Sequence, residues 1–368
     1  MRMALRLARR GLGATSPNPM VGAVLVKAGK VIGRGWHHRA GQPHAEIEAL
    51  LDAQRRGHNI KNATLYVTLE PCCTHGRTPP CTEAILAAGI TKVVVGAIDP
   101  NPRHSGRGLV TLRRAGLSVK QGVLGPECEG LNEAFNYWIQ HRLPFVTVKT
   151  AMTLDGKIAT PSGESKWITG EVARAYGMKL REAADAILVG INTIMADNPS
   201  LTIRGGQSKH SGPGEKKLRR IMLDSMARTP LNSQVASDEF SKFTTIVVSR
   251  RAPESRKRAL SQKVQVWVAP SRDGRIDLQS VLERLGSENV TSLLVEGGGE
   301  VNASFLLRGY AQRVAFFYAP LVLGGADARK AVGGRGATSL KDSLVLQDMR
   351  WRRLGSDWLL TARVKNSG

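Results

Sequence analysis

His44, Glu46, Cys72 and Cys81 could together run a metal-assisted hydrolysis. Zinc accepts imidazole nitrogen and thiolate sulfur, and its catalytic sites use three protein ligands with a fourth position for water. His44, Cys72 and Cys81 supply three such ligands, and Glu46 is a carboxylate that moves protons without ligating. In that chemistry a zinc-held hydroxide attacks an amidine-like ring carbon, and the glutamate carries the proton to departing ammonia. A structural zinc closes with four protein ligands. Cys73 is a poor fourth, because adjacent cysteines chelate one metal badly. The second cysteine comes late: eight residues, 73–80, separate Cys72 from Cys81.

Specific elements must bring these residues together. His44 and Glu46 are two positions apart, which at 3.6 residues per turn points them about 200° from each other on a helix. They share a site only if His44 stands at the non-helical entrance of the helix expected over 46–56, after Gly41-Gln42-Pro43. A strand over 63–69 delivers Glu70-Pro71-Cys72 at its end. Pro79-Pro80-Cys81 opens a helix over 82–88, where the positive dipole end favours thiolate. Two helix N-termini facing one zinc lower the pKa of bound water towards roughly 7.

Around this centre, a first helix over 3–10 stops at Gly11 and Gly13, and strands over 21–26 and 31–35 form a hairpin. Asn18, between two prolines, reads either as an Asx-turn residue or as an amide that reads a base edge. His37 and His38 follow the second strand. A strand over 92–98, D-P-N-P at 99–102, a helix over 109–114 and a strand over 117–121 complete a β/α alternation. Residues 122–143 form a mostly helical connector.

The pattern restarts at Pro144, which divides the chain into domains 1–143 and 144–368. Strands are expected over 145–150, 186–190, 220–223, 244–249, 264–268 and 292–295, and helices over 171–182, 276–286 and 301–308. Residues 205–217 have the composition of a flexible surface loop, and β structure covers 313–323 and 343–364. Glu296-Gly297-Gly298-Gly299 stands between a strand and a helix. Such glycines let backbone N–H groups approach a phosphate, and they equally make a tight structural turn. The run is not G-x-G-x-x-G, so a Rossmann fingerprint is not supported.

Composition narrows the class. Hydrophobic residues make 42% and charged residues 23% of 368 positions, ordinary for a globular chain. No apolar run approaches the roughly 18 residues of a bilayer span, and arginines interrupt the N-terminal apolar stretch, which argues against a secretory signal. The formal charge of +23 suits phosphorylated metabolites or nucleic acid, or reflects a general basic bias. Only 5% aromatics leaves few stacking platforms for single strands. Three of the four cysteines lie within 72–81, which fits a metal site in a reducing cytoplasm better than a disulfide framework.

These motifs together resemble the bifunctional riboflavin-biosynthesis family that joins a pyrimidine deaminase to a ribosylaminouracil reductase. On the deaminase side the resemblance rests on T-S-P-N-P-M-V-G (15–22), G-W-H (35–37), H-A-E (44–46), T-L-E-P-C (68–72), G-R-T-P-P-C (76–81) and D-P-N-P (99–102). On the reductase side it rests on L-D-G-K-I-A (154–159), S-K-W-I-T (165–169), D-N-P-S-L-T-I-R (197–204), L-D-S (223–225) and V-E-G-G-G (295–299). It implies an α/β protein: a cytidine-deaminase-like three-layer α/β/α domain, then a dihydrofolate-reductase-like α/β domain.

The implied reactions are zinc-dependent deamination of 2,5-diamino-6-ribosylamino-4(3H)-pyrimidinone 5′-phosphate and NADPH-dependent reduction of its ribosyl to a ribityl chain. By motif, His44, Cys72 and Cys81 hold zinc, Glu46 shuttles the proton, and Asn18 and His37 contact the pyrimidine. Ser165, Arg181, Leu201, Arg204 and Glu296 fall at substrate positions of the reductase. Ala151, Trp167, Thr193, Asp197, Ser225, Gly298, Gly299, Glu300, Val301, Asn302, Ala303 and Ser304 fall at NADPH positions. Arg181 and Arg204 suit a phosphate, because guanidinium forks bind it bidentately. Partners would be small phosphorylated pyrimidines, with no nucleic acid and no membrane, in the cytoplasm; relatives are often homo-oligomers. The family usually has a histidine two residues after the first zinc cysteine, where this chain has Thr74 and then His75. The competing reading is a nucleic-acid-editing zinc deaminase with an RNA-binding C-terminal domain.

Overall fold

The computed structural model describes residues 1–75, 79–204, 218–272 and 274–365. The loop expected over 205–217 and positions 76–78 of the G-R-T-P-P-C run lie outside the described residues. The chain divides into two compact units, Met1–Leu143 and Pro144–Gly368.

In the first unit, α1 (Arg2–Ala8), β1 (Gly22–Lys27), β2 (Lys30–Trp36), α2 (Ala45–Arg55), β3 (Thr64–Leu69), α3 (Cys81–Ala87), β4 (Lys92–Ala97), α4 (Arg107–Arg114), β5 (Ser118–Lys120), α5 (Gly125–Leu131) and α6 (Glu133–His141) follow in order. The sheet runs β2-β1-β3-β4-β5, with β1 antiparallel to both neighbours and β3 to β5 parallel. Strand side chains alternate faces. Leu25, Leu65 and Val67 therefore pack with Ala45, Ala49 and Ala53 of α2, while Val24 packs with Ala4 and Leu7 of α1. The result is three α/β/α layers.

The seating of α2 decides where the chemistry sits. A Cβ at Gly33 would lie 2.3 Å from Ala49 O, and one at Gly35 would lie 2.3 Å from Ala45 O. Only glycine in β2 lets the helix backbone come this close, and that contact fixes the N-terminus of α2 against the sheet. Glu46 and Glu48 in its first turn and Arg55 in its last complement the helix dipole.

The second unit comprises β6 (Phe145–Thr153), β7 (Lys157–Ala159), α7 (Glu171–Ala183), β8 (Ala186–Gly190), α8 (Ile191–Asp197), β9 (Arg219–Leu223), α9 (Gln234–Ser237), β10 (Thr244–Ser249) and α10 (Glu254–Ser261). It continues through β11 (Gln265–Ala269), β12 (Ser271–Arg272), β13 (Arg275–Ile276), α11 (Leu278–Ser287), β14 (Ser292–Val295), α12 (Gly299–Leu306), β15 (Arg313–Ala319), β16 (Arg329–Lys330), β17 (Leu346–Leu354) and β18 (Asp357–Val364). The main sheet runs β11-β10-β9-β8-β14-β6-β15-β18-β17, parallel up to β15 and antiparallel over the last two strands. Every residue of β8 and β10 is buried, so both faces of the parallel part are covered.

Three helices here, α8, the four-residue α9 and α10, have no counterpart in the expected elements. In α10, E-S-R-K-R-A-L-S buries only Leu260, too little to show a period. In α8, I-N-T-I-M-A-D buries only Ile191 and Ile194, three positions apart, and leaves Met195 exposed. Helix α12 begins at Gly299, two residues before the expected start, and this puts Gly298 at its N-cap.

Candidate active sites

His44 caps α2 in an extended conformation, φ −74° and ψ 163°, and Glu46 is the second helical residue. The backbone turns between them, so both side chains reach one place. Cys72 follows the end of β3, and Cys81 is the first residue of α3. His44 Nδ1 lies 3.2 Å from Cys81 Sγ and 3.5 Å from Cys72 Sγ. The three donor atoms all fall within 4.8 Å of one another. Tetrahedral zinc with ordinary Zn–S and Zn–N lengths requires ligand separations of about 3.5 to 3.8 Å. One imidazole and two sulfurs at this spacing fit a three-ligand zinc site with one position left over.

The three donor groups form one tight hydrogen-bonded set. Hydrogen bonds from Cys81 and His44 outweigh burial and pull the Cys72 thiol well below its ordinary range. Cys81 is driven the other way by its hydrogen bond to Cys72 and by its burial. The His44 imidazole is raised to about 8, chiefly by its hydrogen bond to Cys72. Glu46 is 3% exposed, and burial pushes its carboxyl up to about 7 against the opposing charge of His44. A carboxyl poised there can take and return a proton near neutrality.

Asn18 and His37 meet beside this centre. Asn18 Nδ2 is 3.1 Å from His37 Nε2, and His37 Nδ1 is 3.1 Å from Pro43 O. The carbonyl requires Nδ1–H as donor, so Nε2 accepts from the amide, and Asn18 keeps its carbonyl oxygen for another partner. Burial lowers the His37 pKa, which keeps the ring neutral. His37 packs edge-on against His44 with centroids 5.4 Å apart. His75 is exposed and pairs with Glu83 at 3.5 Å, while Cys73 Sγ is 3.7 Å from His104 Nδ1.

In the second unit the expected positions gather at the C-terminal ends of parallel strands, where open α/β sheets take ligands. Ala151 is near the end of β6, Thr193 is in the first turn after β8, Ser225 follows β9, and Glu296 to Ser304 follow β14. Glu296 receives a fork: Arg181 Nε and one terminal nitrogen each donate at 2.9 Å, and Lys149 Nζ stands 3.6 Å away. Burial alone would raise the Glu296 carboxyl, but Lys149 and Arg181 hold it down to about 2. The other Arg181 terminal nitrogen donates to Thr202 O at 2.8 Å. The fork expected to face a phosphate is thus engaged within the chain, whereas Arg204 is exposed. Leu201 is buried with φ +52°.

The remaining positions fall around α8 and α12. Ser165 Oγ donates to Asp197 Oδ1 at 3.4 Å. Trp167 is exposed, with the Arg174 guanidinium 4.6 Å above its ring. Ser225 O accepts from Ser249 Oγ at 2.8 Å. A Cβ at Gly299 would strike Lys330 O at 2.3 Å, whereas one at Gly298 would meet nothing within 4 Å. Gly298 therefore borders open space at the N-terminus of α12, a cradle of the kind that suits a dinucleotide phosphate. Glu300 accepts from Gly334 N at 2.9 Å, and Ser304 Oγ donates to Glu300 O at 2.7 Å. Val301 packs near Gly190 and Gly297, and Ala303 is buried. Asn302 is fully buried; its Nδ2 donates to Ala331 O, and its Oδ1 has no partner among the described residues.

Comparison with known proteins agrees with this division. Residues 1–97 match the cytidine and deoxycytidylate deaminase zinc-binding region, and residues 144–360 match the RibD C-terminal domain. The riboflavin biosynthesis protein RibD of Actinobacillus pleuropneumoniae is 43% identical over 360 residues, covering 98% of this chain and 93% of that protein. The chain belongs to the RibD family. RibD of Aquifex aeolicus is 42% identical over 98% of this chain and 96% of its own. Among solved structures, Acinetobacter baumannii RibD superposes with a TM-score of 0.87 at 33% identity, covering 99% of this chain and 98% of that one. A Thermotoga maritima diaminohydroxyphosphoribosylaminopyrimidine deaminase/5-amino-6-(5-phosphoribosylamino)uracil reductase gives 0.83 at 34% identity, over 99% and 97%.

Like the RibD structures, this chain joins a cytidine-deaminase-like α/β/α domain to a Rossmann-like reductase domain, here without a G-x-G-x-x-G loop. Two residues of this RibD-family chain escaped a role in the sequence reading. Glu70 is buried, and its carboxylate accepts from the backbone N–H groups of Asp99, Gly106 and Gly108 at 3.1, 2.8 and 2.8 Å. It ties the 99–108 loop to the residue pair that ends in Cys72. Its place inside T-L-E-P-C was the available signal. Lys149 carried none, because a lone lysine in a strand reads as an exposed position.

Proposed function

We propose that this chain deaminates 2,5-diamino-6-ribosylamino-4(3H)-pyrimidinone 5′-phosphate and then reduces the ribosyl group of the product to ribityl with NADPH. The observation that carries the reading is the His44–Cys72–Cys81 cluster beside a buried Glu46, on a chain whose second half matches the RibD C-terminal domain. That second half also argues against an RNA-editing deaminase, for which a reductase domain has no use.

His44, Cys72 and Cys81 would hold zinc, and zinc when bound supplies an activated water at neutral pH. Glu46, buried beside the three ligands, would carry a proton from the attacking water to the departing amine. Neutral His37 accepts from the Asn18 amide N–H, which leaves the Asn18 amide oxygen to accept from a pyrimidine N–H or amino group.

In the reductase unit, the N-terminus of α12 and the space beside Gly298 would take a phosphate of NADPH, which when bound supplies the hydride. Arg181 and Lys149 keep Glu296 ionised, as an acceptor for substrate hydroxyls. Exposed Arg204 offers its guanidinium to the substrate phosphate. We further propose a cytoplasmic setting, which four free cysteines favour, and assembly as a homo-oligomer. No helix among the described residues is long and apolar enough to cross a membrane.

The test is incubation with the diamino substrate, following ammonia release and NADPH consumption separately. Glu46→Gln should retain zinc and lose deamination by about 10²-fold or more, while NADPH oxidation on deaminated substrate survives. Loss of both activities in that variant would refute two independent sites.

A further inference from the structure

Beneath the 197–204 segment, Arg220 on β9 is 1% exposed, and each of its five N–H groups is used. Nε donates to Thr244 Oγ1 at 2.9 Å. One terminal nitrogen donates to Ser200 O at 2.8 Å and Asp238 Oδ2 at 2.6 Å. The other donates to Val235 O at 3.2 Å and Asp238 Oδ1 at 2.7 Å. The neighbouring Arg219, by contrast, makes an ordinary surface pair with Glu288.

Ser200 and Thr202 flank Leu201, which is buried in the left-handed region at φ +52°. A branched-chain residue rarely rests there unless its surroundings hold it. Two buried guanidinium groups do so: Arg220 takes the carbonyl before Leu201, and Arg181 takes the carbonyl after it. Asn198 adds a third tether, accepting from Gln234 N at 2.8 Å. Arg204 leaves this clamp two residues later and is exposed.

We infer that Arg220 is a positioning residue for the reductase, holding the segment that presents Leu201 and Arg204 to the phosphorylated substrate. The inference rests on the proposed reductase reading. A clamp on one carbonyl acts on the substrate through the loop. The bonded carbonyl, Ser200 O, lies beyond α8, which carries Thr193 and Asp197, and on a different element from the N-terminus of α12, so the cofactor positions keep their own supports.

The test compares wild type with Arg220→Lys, which keeps the charge but cannot make five directed bonds, and with Asp238→Asn, which loosens the clamp from its half-buried end. Both variants should raise the KM for the ribosyl substrate about tenfold, with NADPH affinity within about twofold of wild type. Amide exchange over 198–204 should accelerate. Arg204→Ala should raise KM strongly alone and add little in the Arg220→Lys background, because the two act through one segment. Unchanged exchange over 198–204 overturns the clamp whatever the activity. Additive effects of the two substitutions, or parallel loss of NADPH binding, overturn the positioning role and leave a merely structural one. If Arg220→Lys does not fold, Asp238→Asn decides by the same readouts. A wild type that binds NADPH but reduces no ribosyl substrate refutes the functional reading instead, and the exchange result still decides the clamp.

Discussion

Glu296→Gln removes one charge from a buried cluster while keeping its volume. The Glu296 carboxyl is held down to about 2 from an ordinary 4.5, and its side chain is 11% exposed. At about 1.4 kcal/mol per pKa unit, this difference contributes on the order of 3 kcal/mol to folding. A second route gives a similar size. The substitution strands the Arg181 guanidinium, itself buried, and removing one partner of a buried pair costs about 3–5 kcal/mol. The sign follows from the depressed value. The stabilisation is complete above the ordinary carboxylate range and is lost as pH falls from about 4.5 through about 2. In urea at neutral pH, with a slope of about 3 kcal/mol per molar, the reductase transition should move down by about 1 M. The gap between wild type and variant should close on acidification, because protonation removes the same charge from the native protein. Coincident midpoints at neutral pH, or a gap that persists at about pH 2, would refute this account of the cluster.

Gly298→Ala should leave the melting temperature nearly unchanged, since its Cβ meets nothing within the chain, yet weaken NADPH binding in a fluorescence titration. Equal affinity would remove the cofactor from the α12 cradle. Cys73→Ser should retain one zinc per chain by metal analysis, because its sulfur faces His104 and not the His44 cluster; loss of the metal would show that the ligand set is wrong. Glu70→Gln should destabilise the first unit by about 2 kcal/mol, since a carboxylate that accepts three backbone N–H groups becomes an amide with one acceptor. Urea unfolding measures the loss, and an unchanged midpoint would make those bonds dispensable.

Much of the architecture was legible in the sequence because it is written in local signals. Strand 186–190 is a pure apolar run, and it appears with the same limits. The helix expected over 46–56 differs from α2 by one residue at each end. Helices α8 and α10 were not legible, because their apolar contribution is one or two side chains and tertiary packing selects them. The same holds for Arg220. An arginine in an R-R pair reads as solvent-facing, and only the fold shows that it fills a buried socket.

The order of residues by itself determined the chemical kinds present: imidazole, thiolates and a carboxylate at a deaminase spacing, and a glycine turn between strand and helix. Spacing along a chain, however, says which elements meet only when they are neighbours. Whether His44 reaches within 3.5 Å of Cys72 depends on β2 glycines that let α2 settle on the sheet. Whether Arg181 faces a ligand or Glu296 depends on a contact 115 positions away. Those are matters of close packing and of where buried charge finds its partner, and the tertiary structure decided them.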